Sequence, residues 1–340
     1  MIDLRSDTIT KPTPSMLDAI MSASLGDDVF GEDPTTNELQ DYIADLFGKE
    51  AALFVSSGTM GNQLGIKVLT NPGDEIIVEA QSHIFFYETA APSLISGVQL
   101  NTVNSERGMM KIDDIENAIR PDTYYFPKTS LIALENTHNR HSGTILSLAH
   151  IEEVYSFAKE KNLKLHLDGA RLWNALAATD TEPAEWAKYF DTLTICFSKG
   201  LGAPAGSILL ANKENIEKAR HWRKILGGGM RQSGILAAAA LYAVRHNLSQ
   251  IAEDNRNARF FAEKISTAEN INVDLSRVET NIVYFDYLGD KEIADFVNCC
   301  EDEGLKMFAT GKNTVRAVFH LHISRNDVDV AAEIVRHCAD

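Results

Sequence analysis

Two short segments, Leu165-His166-Leu167-Asp168-Gly169-Ala170-Arg171 and Cys196-Phe197-Ser198-Lys199-Gly200, each place an ionisable group at the end of an apolar, strand-like run. The acid and the lysine stand 31 residues apart. A lysine that forms an imine must lose its proton and sit at a fixed point. The end of a strand, with Gly200 and Gly202 after it, supplies fixation and close ligand approach. A carboxylate at Asp168 can hold a pyridine nitrogen protonated, so that the ring accepts electrons from a carbanion. Arg171 can reach the phenolic oxygen of the same ring. An acid, an arginine and a later lysine are together what a chain needs to hold pyridoxal 5'-phosphate. Each alone has an ordinary explanation, as a surface lysine or a buried Asp–Arg pair.

Other segments join them in chain order. Ser57-Gly58-Thr59 follows an apolar run and opens a helix, where free amides, the helix dipole and two hydroxyls suit a phosphate. It is neither a Walker loop nor a dinucleotide fingerprint, because the lysine and the glycine spacing are missing. His83 precedes the aromatics Phe85, Phe86 and Tyr87, and its imidazole can stack on a pyridine face or move a proton. Gly227-Gly228-Gly229-Met230-Arg231 leads into a helix, with Arg231 able to bind phosphate from a second subunit. Arg316, in the strand pattern Thr314-Val315-Arg316-Ala317-Val318, is suited to a substrate carboxylate.

The elements that must position these groups alternate. Apolar strand patterns cover 51–55, 75–78, 130–135, 163–167, 192–197 and 207–210. Helical patterns cover Asn37–Phe47, the stretch from Ser57 to Leu69, Ile151–Lys161 and Gln232–His246. This order predicts an α/β fold with a mostly parallel sheet covered on both faces, and ligands gathered at the carboxyl ends of its strands. The expected organisation is an extended arm over 1–15, a large domain over 16–250 and a smaller C-terminal α+β domain over 251–340.

Composition narrows the partners. Thirty-two basic against 48 acidic residues give a net charge of -16, which repels nucleic acid and anionic membrane. No apolar run approaches the ~20 residues of a membrane span. The four cysteines form no CxxC pair and no zinc-like cluster, so no metal site is expected and a reducing cytoplasm fits better than a disulfide framework. His320 and His322 lack a convincing metal spacing.

Longer motifs bring in a family. Asp3-Leu4-Arg5-Ser6-Asp7-Thr8, Gly26-Asp27-Asp28-Val29-Phe30-Gly31-Glu32-Asp33-Pro34-Thr35, Ser57-Gly58-Thr59-Met60-Gly61-Asn62 and Glu135-Asn136-Thr137-His138-Asn139 are four of them. His166 to Arg171, Ser198 to Leu201 and Leu226 to Gln232 are the others. In this order they closely resemble the L-threonine aldolases of the aminotransferase-like fold, known as pyridoxal phosphate fold type I. The resemblance implies a lyase that cleaves L-β-hydroxy-α-amino acids to glycine and an aldehyde. Lys199 would hold the cofactor covalently, Asp168 would face its ring nitrogen, Arg171 its ring oxygen, and His83 would stack on it. Ser57, Gly58 and Thr59 would hold its phosphate, with Arg231 reaching in from a neighbouring subunit of a homo-oligomer, a dimer of dimers. Ser6 and Arg316 would take the substrate carboxylate, and Tyr87 and Tyr125 complete the candidate substrate contacts. Two positions depart from the family pattern. Tyr125 stands where a histidine is common, and a tyrosine there donates a hydrogen bond but is a poor base at neutral pH. Phe30 stands where tyrosine is common. Both bear on substrate preference. An aldolase of bulkier substrates such as phenylserine, a β-eliminating lyase or aminotransferase, and a non-catalytic binding protein are the alternatives on the same scaffold.

Overall fold

The computed structural model describes all residues, 1–340. The six apolar runs and one further strand form one sheet: Ala51–Val55 (β1), Glu75–Glu79 (β2), Gln99–Val103 (β3), Thr129–Glu135 (β4), Lys164–Gly169 (β5), Thr192–Cys196 (β6) and Ser207–Ala211 (β7), of which the edge strand β3 is mostly polar and lies outside the expected runs. Their order across the sheet is β1-β7-β6-β5-β4-β2-β3. Neighbours are parallel, except that β7 runs antiparallel to both β1 and β6. Alternate residues feed different cores. Ile77, Ile132, Leu134, Leu165 and Leu167 belong to one, and Ile76, Val78, Leu131 and Ala133 to another. A sheet buried on both faces is why its strands read as unbroken apolar runs.

Caps set where the helices begin. The helix expected from Asn37 starts earlier, at Pro34, because the Asp33 carboxylate accepts from Thr36 N at 2.9 Å and Pro34 suits the first turn. The helix expected from Ile151 likewise starts at Leu148, where Ser147 caps His150 N. The helix Gly58–Leu69 starts where expected, with the Ser57 hydroxyl accepting from Met60 N at 3.2 Å.

A second, antiparallel sheet joins Ile271–Asn272 (β8), Ile282–Tyr287 (β9), Phe308–Ala309 (β10) and Thr314–Val318 (β11), in the order β10-β11-β9-β8. The helices Leu248–Ile265, Ile293–Asp302 and Arg325–Ala339 pack on it around Phe261, Phe285, Phe296, Phe319 and Val335. The first residues of the chain are sewn into this part. Ile2 and Asp3 pair in parallel with Leu305 and Lys306, and Leu4 is buried in the same core. From there the chain runs to the end of β6, where Thr10 Oγ1 donates to Lys199 O at 2.9 Å.

The cysteines depart in part from the expectation of a reducing compartment without a disulfide framework. Cys299 and Cys338 form a disulfide, while Cys196 and Cys300 are free. The helices Ile293–Asp302 and Arg325–Ala339 pack together and bring the two Cα atoms to 5.9 Å. A separation of 39 residues gives no local spacing signal.

Asp254, in the helix Leu248–Ile265, is buried beneath the lysine loop; a Cβ on Gly200 would lie 3.7 Å from its Oδ2. Burial pushes its carboxyl up to about 8 against the Gln250 hydrogen bond, and the Asp7 and Glu253 charges push the same way. Unfolded, the group titrates near 4. Its folded pKa is the higher one, so its contribution to stability is full below about 4 and is lost as pH rises through about 8. Asp254→Asn stays neutral throughout. The Tm of the variant should therefore gain on that of the wild type between pH 5 and pH 8.5. Calorimetric scans showing a pH-independent difference would refute this.

Candidate active site

Asp168 lies at the carboxyl end of β5 with its side chain buried. Its Oδ2 accepts from Asn62 Nδ2 at 2.9 Å and its Oδ1 from Ala170 N at 3.1 Å. Asn62, on the helix Gly58–Leu69, also donates to Glu88 Oε1 at 2.8 Å. Its carbonyl oxygen sits 3.1 Å from His166 Nε2. Burial lowers the His166 pKa to about 4, outweighing the Asp168 charge, so the ring is neutral. Its Nε2–H then donates to Asn62 and fixes the amide with its NH2 toward the two acids.

His83 opens the short helix His83–Phe86 after β2, and its Nδ1 is 2.9 Å from Glu88 Oε1 and 4.0 Å from Asp168 Oδ2. With Glu88 on that side, the neutral ring carries its proton on Nδ1 and leaves Nε2 as the acceptor. Burial works against the charged ring, but the Glu88 hydrogen bond and the charges of Asp168, Glu135 and Glu88 outweigh it and raise its pKa above the ordinary histidine value. Glu135 holds the segment in place by accepting from His83 N at 2.6 Å and Asn139 N at 2.9 Å.

Lys199 sits in the turn after β6, its Nζ 3.3 Å from Cys196 Sγ and with no acid within 4.0 Å. Gly58 meets the same thiol: a Cβ there would lie 2.7 Å from Cys196 Sγ, so only glycine lets the helix start this close to the lysine. The backbone amides of Gly58 and Thr59 make no hydrogen bond. Arg171 is buried, and its Nε and Nη2 each donate to an Asp7 oxygen at 2.7 Å. Burial alone would raise the Asp7 carboxyl; Arg171, Lys199 and Asn281 hold it down at about 2.

Part of this set opens on a cavity of about 480 Å³ that residues of both sheets' surroundings line, while Asp168, Ser57, Gly58 and Thr59 are not among its lining residues. Ser6, His83, Tyr87, Arg171, Lys199 and Arg316 all line it. Arg316 donates only to neutral acceptors, Asn139 Oδ1 at 3.2 Å and Arg5 O at 3.0 Å, and its Nε is buried without a partner. The donor set fits pyridoxal phosphate: unbonded helix amides for a phosphate, a buried carboxylate for a ring nitrogen, a guanidinium for a ring oxygen and an unpaired lysine amine.

Other expected residues are not gathered by a single chain. Tyr125 is 67% exposed, beside Tyr124, and does not line the cavity. Phe30 is exposed. Arg231 is bound to Asp27 at 2.8 Å and lies outside the cavity. Sequence reasoning missed Asp7, Asn62, Glu88 and Glu135 as site residues, although all but Glu88 lie inside motifs it quoted. It also missed a buried knot in which Glu79 takes one imidazole on each oxygen, His138 at 2.9 Å and His141 at 3.3 Å. The histidines come from a loop 59 or more residues away, so no spacing marked the cluster.

Comparisons with known proteins give the family. Residues 3–287 match the beta-eliminating lyase family. The low specificity L-threonine aldolase of Escherichia coli (strain K12) is 41% identical over 99% of this chain and 98% of that protein. The probable low-specificity L-threonine aldolase 2 of Arabidopsis thaliana is 43% identical over 99% of this chain and 96% of that protein. The chain belongs to the threonine aldolases of the beta-eliminating lyase family. Among solved structures, Leishmania major threonine aldolase superposes with a TM-score of 0.86 at 21% identity, covering all of both chains. A likeness at that identity speaks for the fold, which is that of the pyridoxal phosphate fold type I enzymes expected from the sequence.

Proposed function

We propose that this threonine aldolase family member cleaves L-threonine, L-allo-threonine and related L-β-hydroxy-α-amino acids to glycine and an aldehyde, with pyridoxal phosphate as cofactor. The observation that carries this reading is the single cavity onto which Ser6, His83, Arg171, Lys199 and Arg316 all open. Bound there, the cofactor supplies an electron sink for the pair left when the Cα–Cβ bond breaks. Lys199 Nζ would hold it covalently, Asp168 its ring nitrogen, Arg171 its ring oxygen, and Ser57, Gly58 and Thr59 its phosphate. Arg316, whose guanidinium meets only neutral acceptors, would bind the substrate carboxylate with Ser6. His83 Nε2 would take the β-hydroxyl proton, while Glu88 keeps the other ring nitrogen protonated. Tyr87, packed 5.6 Å from the His83 ring, would close the substrate side.

A substrate panel tests the reading. L-Threonine, L-allo-threonine and L-serine are incubated with the enzyme, and glycine, aldehyde and pyruvate are assayed. Glycine with aldehyde is expected; pyruvate without glycine would point to β-elimination and end the aldolase reading.

The base makes a pH prediction. Only the neutral imidazole accepts a proton, so kcat/KM should rise with pH through the His83 pKa. Glu88→Gln keeps a hydrogen-bond partner and removes one of the charges that raise that pKa. The acid limb of the profile should move to lower pH, and an unmoved limb would show that His83 is not the titrating base.

The working form we infer is a cytoplasmic homo-oligomer with sites at subunit boundaries. Phe30, Leu94, Tyr124 and Tyr125 are exposed apolar or aromatic groups that such a boundary would cover. Arg231 would then reach a neighbour's phosphate. The Cys299–Cys338 bond does not touch the cavity, and no helix is long and apolar enough to cross a membrane.

A further inference from the structure

The cavity holds more positive charge than one amino-acid carboxylate needs. Its charged lining is His83, Glu135, Arg140, Arg171, Lys199 and Arg316. Arg171 is neutralised by Asp7, and both Glu135 oxygens are taken by backbone amides. Lys199 is assigned to the cofactor. Two guanidinium groups remain, Arg316 and Arg140, and neither forms a salt bridge with any carboxylate of the chain.

Arg140 is held by neutral and aromatic neighbours. Its Nη1 donates to Tyr87 Oη at 2.9 Å and its Nε to Gln81 Oε1 at 3.3 Å. Its guanidinium carbon lies 4.2 Å from the Phe86 ring centroid and 6.0 Å from that of Tyr87. Aromatic stacking of this kind fixes the plane of the group and leaves its edge for an anion. Arg140 also borders the adjacent cleft that holds Asp274 and Asp286, yet no ion pair forms with either. Because Tyr87 lines the cavity beside His83, Arg140 stands on the side where a substrate's β-substituent would lie.

We infer that Arg140 is a specificity-determining residue that admits β-hydroxy-α-amino acids whose side chain ends in a carboxylate, with L-3-hydroxyaspartate the smallest. This rests on the retro-aldol reading above. The balance is that of the same reaction. The β-hydroxyl proton passes to His83 Nε2, the Cα–Cβ bond breaks with its electron pair left on Cα, and Cβ becomes the aldehyde carbon of glyoxylate. Cα then takes a proton, giving glycine. No oxidant or reductant enters. The α-carboxylate occupies Arg316 and the second carboxylate occupies Arg140.

The test compares kcat/KM for both β-epimers of L-3-hydroxyaspartate with that for L-threonine, reading glycine together with glyoxylate or acetaldehyde. It uses the wild type, Arg140→Gln and Arg140→Lys. The wild type should cleave hydroxyaspartate. Arg140→Gln should lower the hydroxyaspartate-to-threonine ratio by about tenfold to a hundredfold, the scale of one lost charged hydrogen bond, and Arg140→Lys should lower it less. A second readout needs no turnover: succinate should raise the Tm of the holoenzyme more than butyrate does, and Arg140→Gln should erase the difference. Threonine cleavage without hydroxyaspartate cleavage would overturn the inference. So would an equal fall for both substrates in Arg140→Gln, which would make Arg140 a clamp for Tyr87. If no substrate yields glycine, the aldolase reading fails by itself, and succinate binding that depends on Arg140 would still support the anion site.

Discussion

Lys199→Ala is expected to lower cleavage of every substrate by about 10⁴-fold or more, the scale on which removing one essential covalent group from a preorganised site acts. The lysine is fixed by its backbone: its carbonyl accepts from Thr10 Oγ1 at 2.9 Å and from Gly202 N at 2.9 Å. Gly202 turns the chain there at φ +83°, a conformation that suits glycine. The amine is the free part. Its one hydrogen bond goes to Cys196 Sγ at 3.3 Å, so removing it breaks no ion pair and the Tm should stay close to the wild-type value. Lys199→Arg keeps the charge without a nucleophilic amine and should be equally inactive. Borohydride treatment followed by peptide mass analysis should fix the cofactor to residue 199 in the wild type and nowhere in the variant. Cleavage at a wild-type rate by Lys199→Ala would remove the lysine from the mechanism and, with it, the role given to the turn after β6.

What the sequence made legible was local. Asp168 and Lys199 stand at the ends of apolar runs, and each run became a parallel strand ending at the cavity. Ser57 capped its helix because a hydroxyl before a helical run does so wherever it lies. What stayed hidden depends on distance along the chain. Asp7, the partner of Arg171, is 164 residues from it, and its burial follows from the pairing of Ile2 and Asp3 with a strand near the C-terminus. Strand direction is equally non-local: β7 reads like its neighbours yet runs antiparallel to them. Glu88 lies only five residues after His83, but a lone glutamate after an aromatic run carries no pattern, and its importance appears only when Asn62 and Gln63 from another helix meet it. Tyr125 shows the converse. A motif position drew attention to it, and the fold of one chain leaves it in an exposed loop.

Asp168→Asn should act on three measurements at once, because the proposed site gives this carboxylate three neighbours. The first is the cofactor ring. A neutral amide cannot stabilise a protonated pyridine nitrogen, and loss of one preorganised charge facing developing charge should cost on the order of 10²–10³ in kcat. The second is His83, whose pKa the Asp168 charge helps to raise from 4.0 Å away, so the acid limb of the rate profile should move to lower pH. The third is the fold. Asp168 accepts from Asn62 Nδ2 on one oxygen and from Ala170 N on the other. An asparagine offers a single acceptor, so whichever way it turns, its NH2 group faces a donor. Asn62 cannot rotate to relieve this, since its own NH2 also serves Glu88 and its oxygen faces the neutral His166. Leaving one buried donor unmatched should cost about 1–3 kcal/mol of stability. Asp168→Glu keeps the charge but lengthens the arm, and should recover the pH limb without recovering kcat, since its carboxylate would no longer stand where the Asn62 and Ala170 hydrogen bonds hold that of Asp168. A variant that lost only stability, with kcat and the pH limb at wild-type values, would reduce Asp168 to a structural acid that pins Asn62.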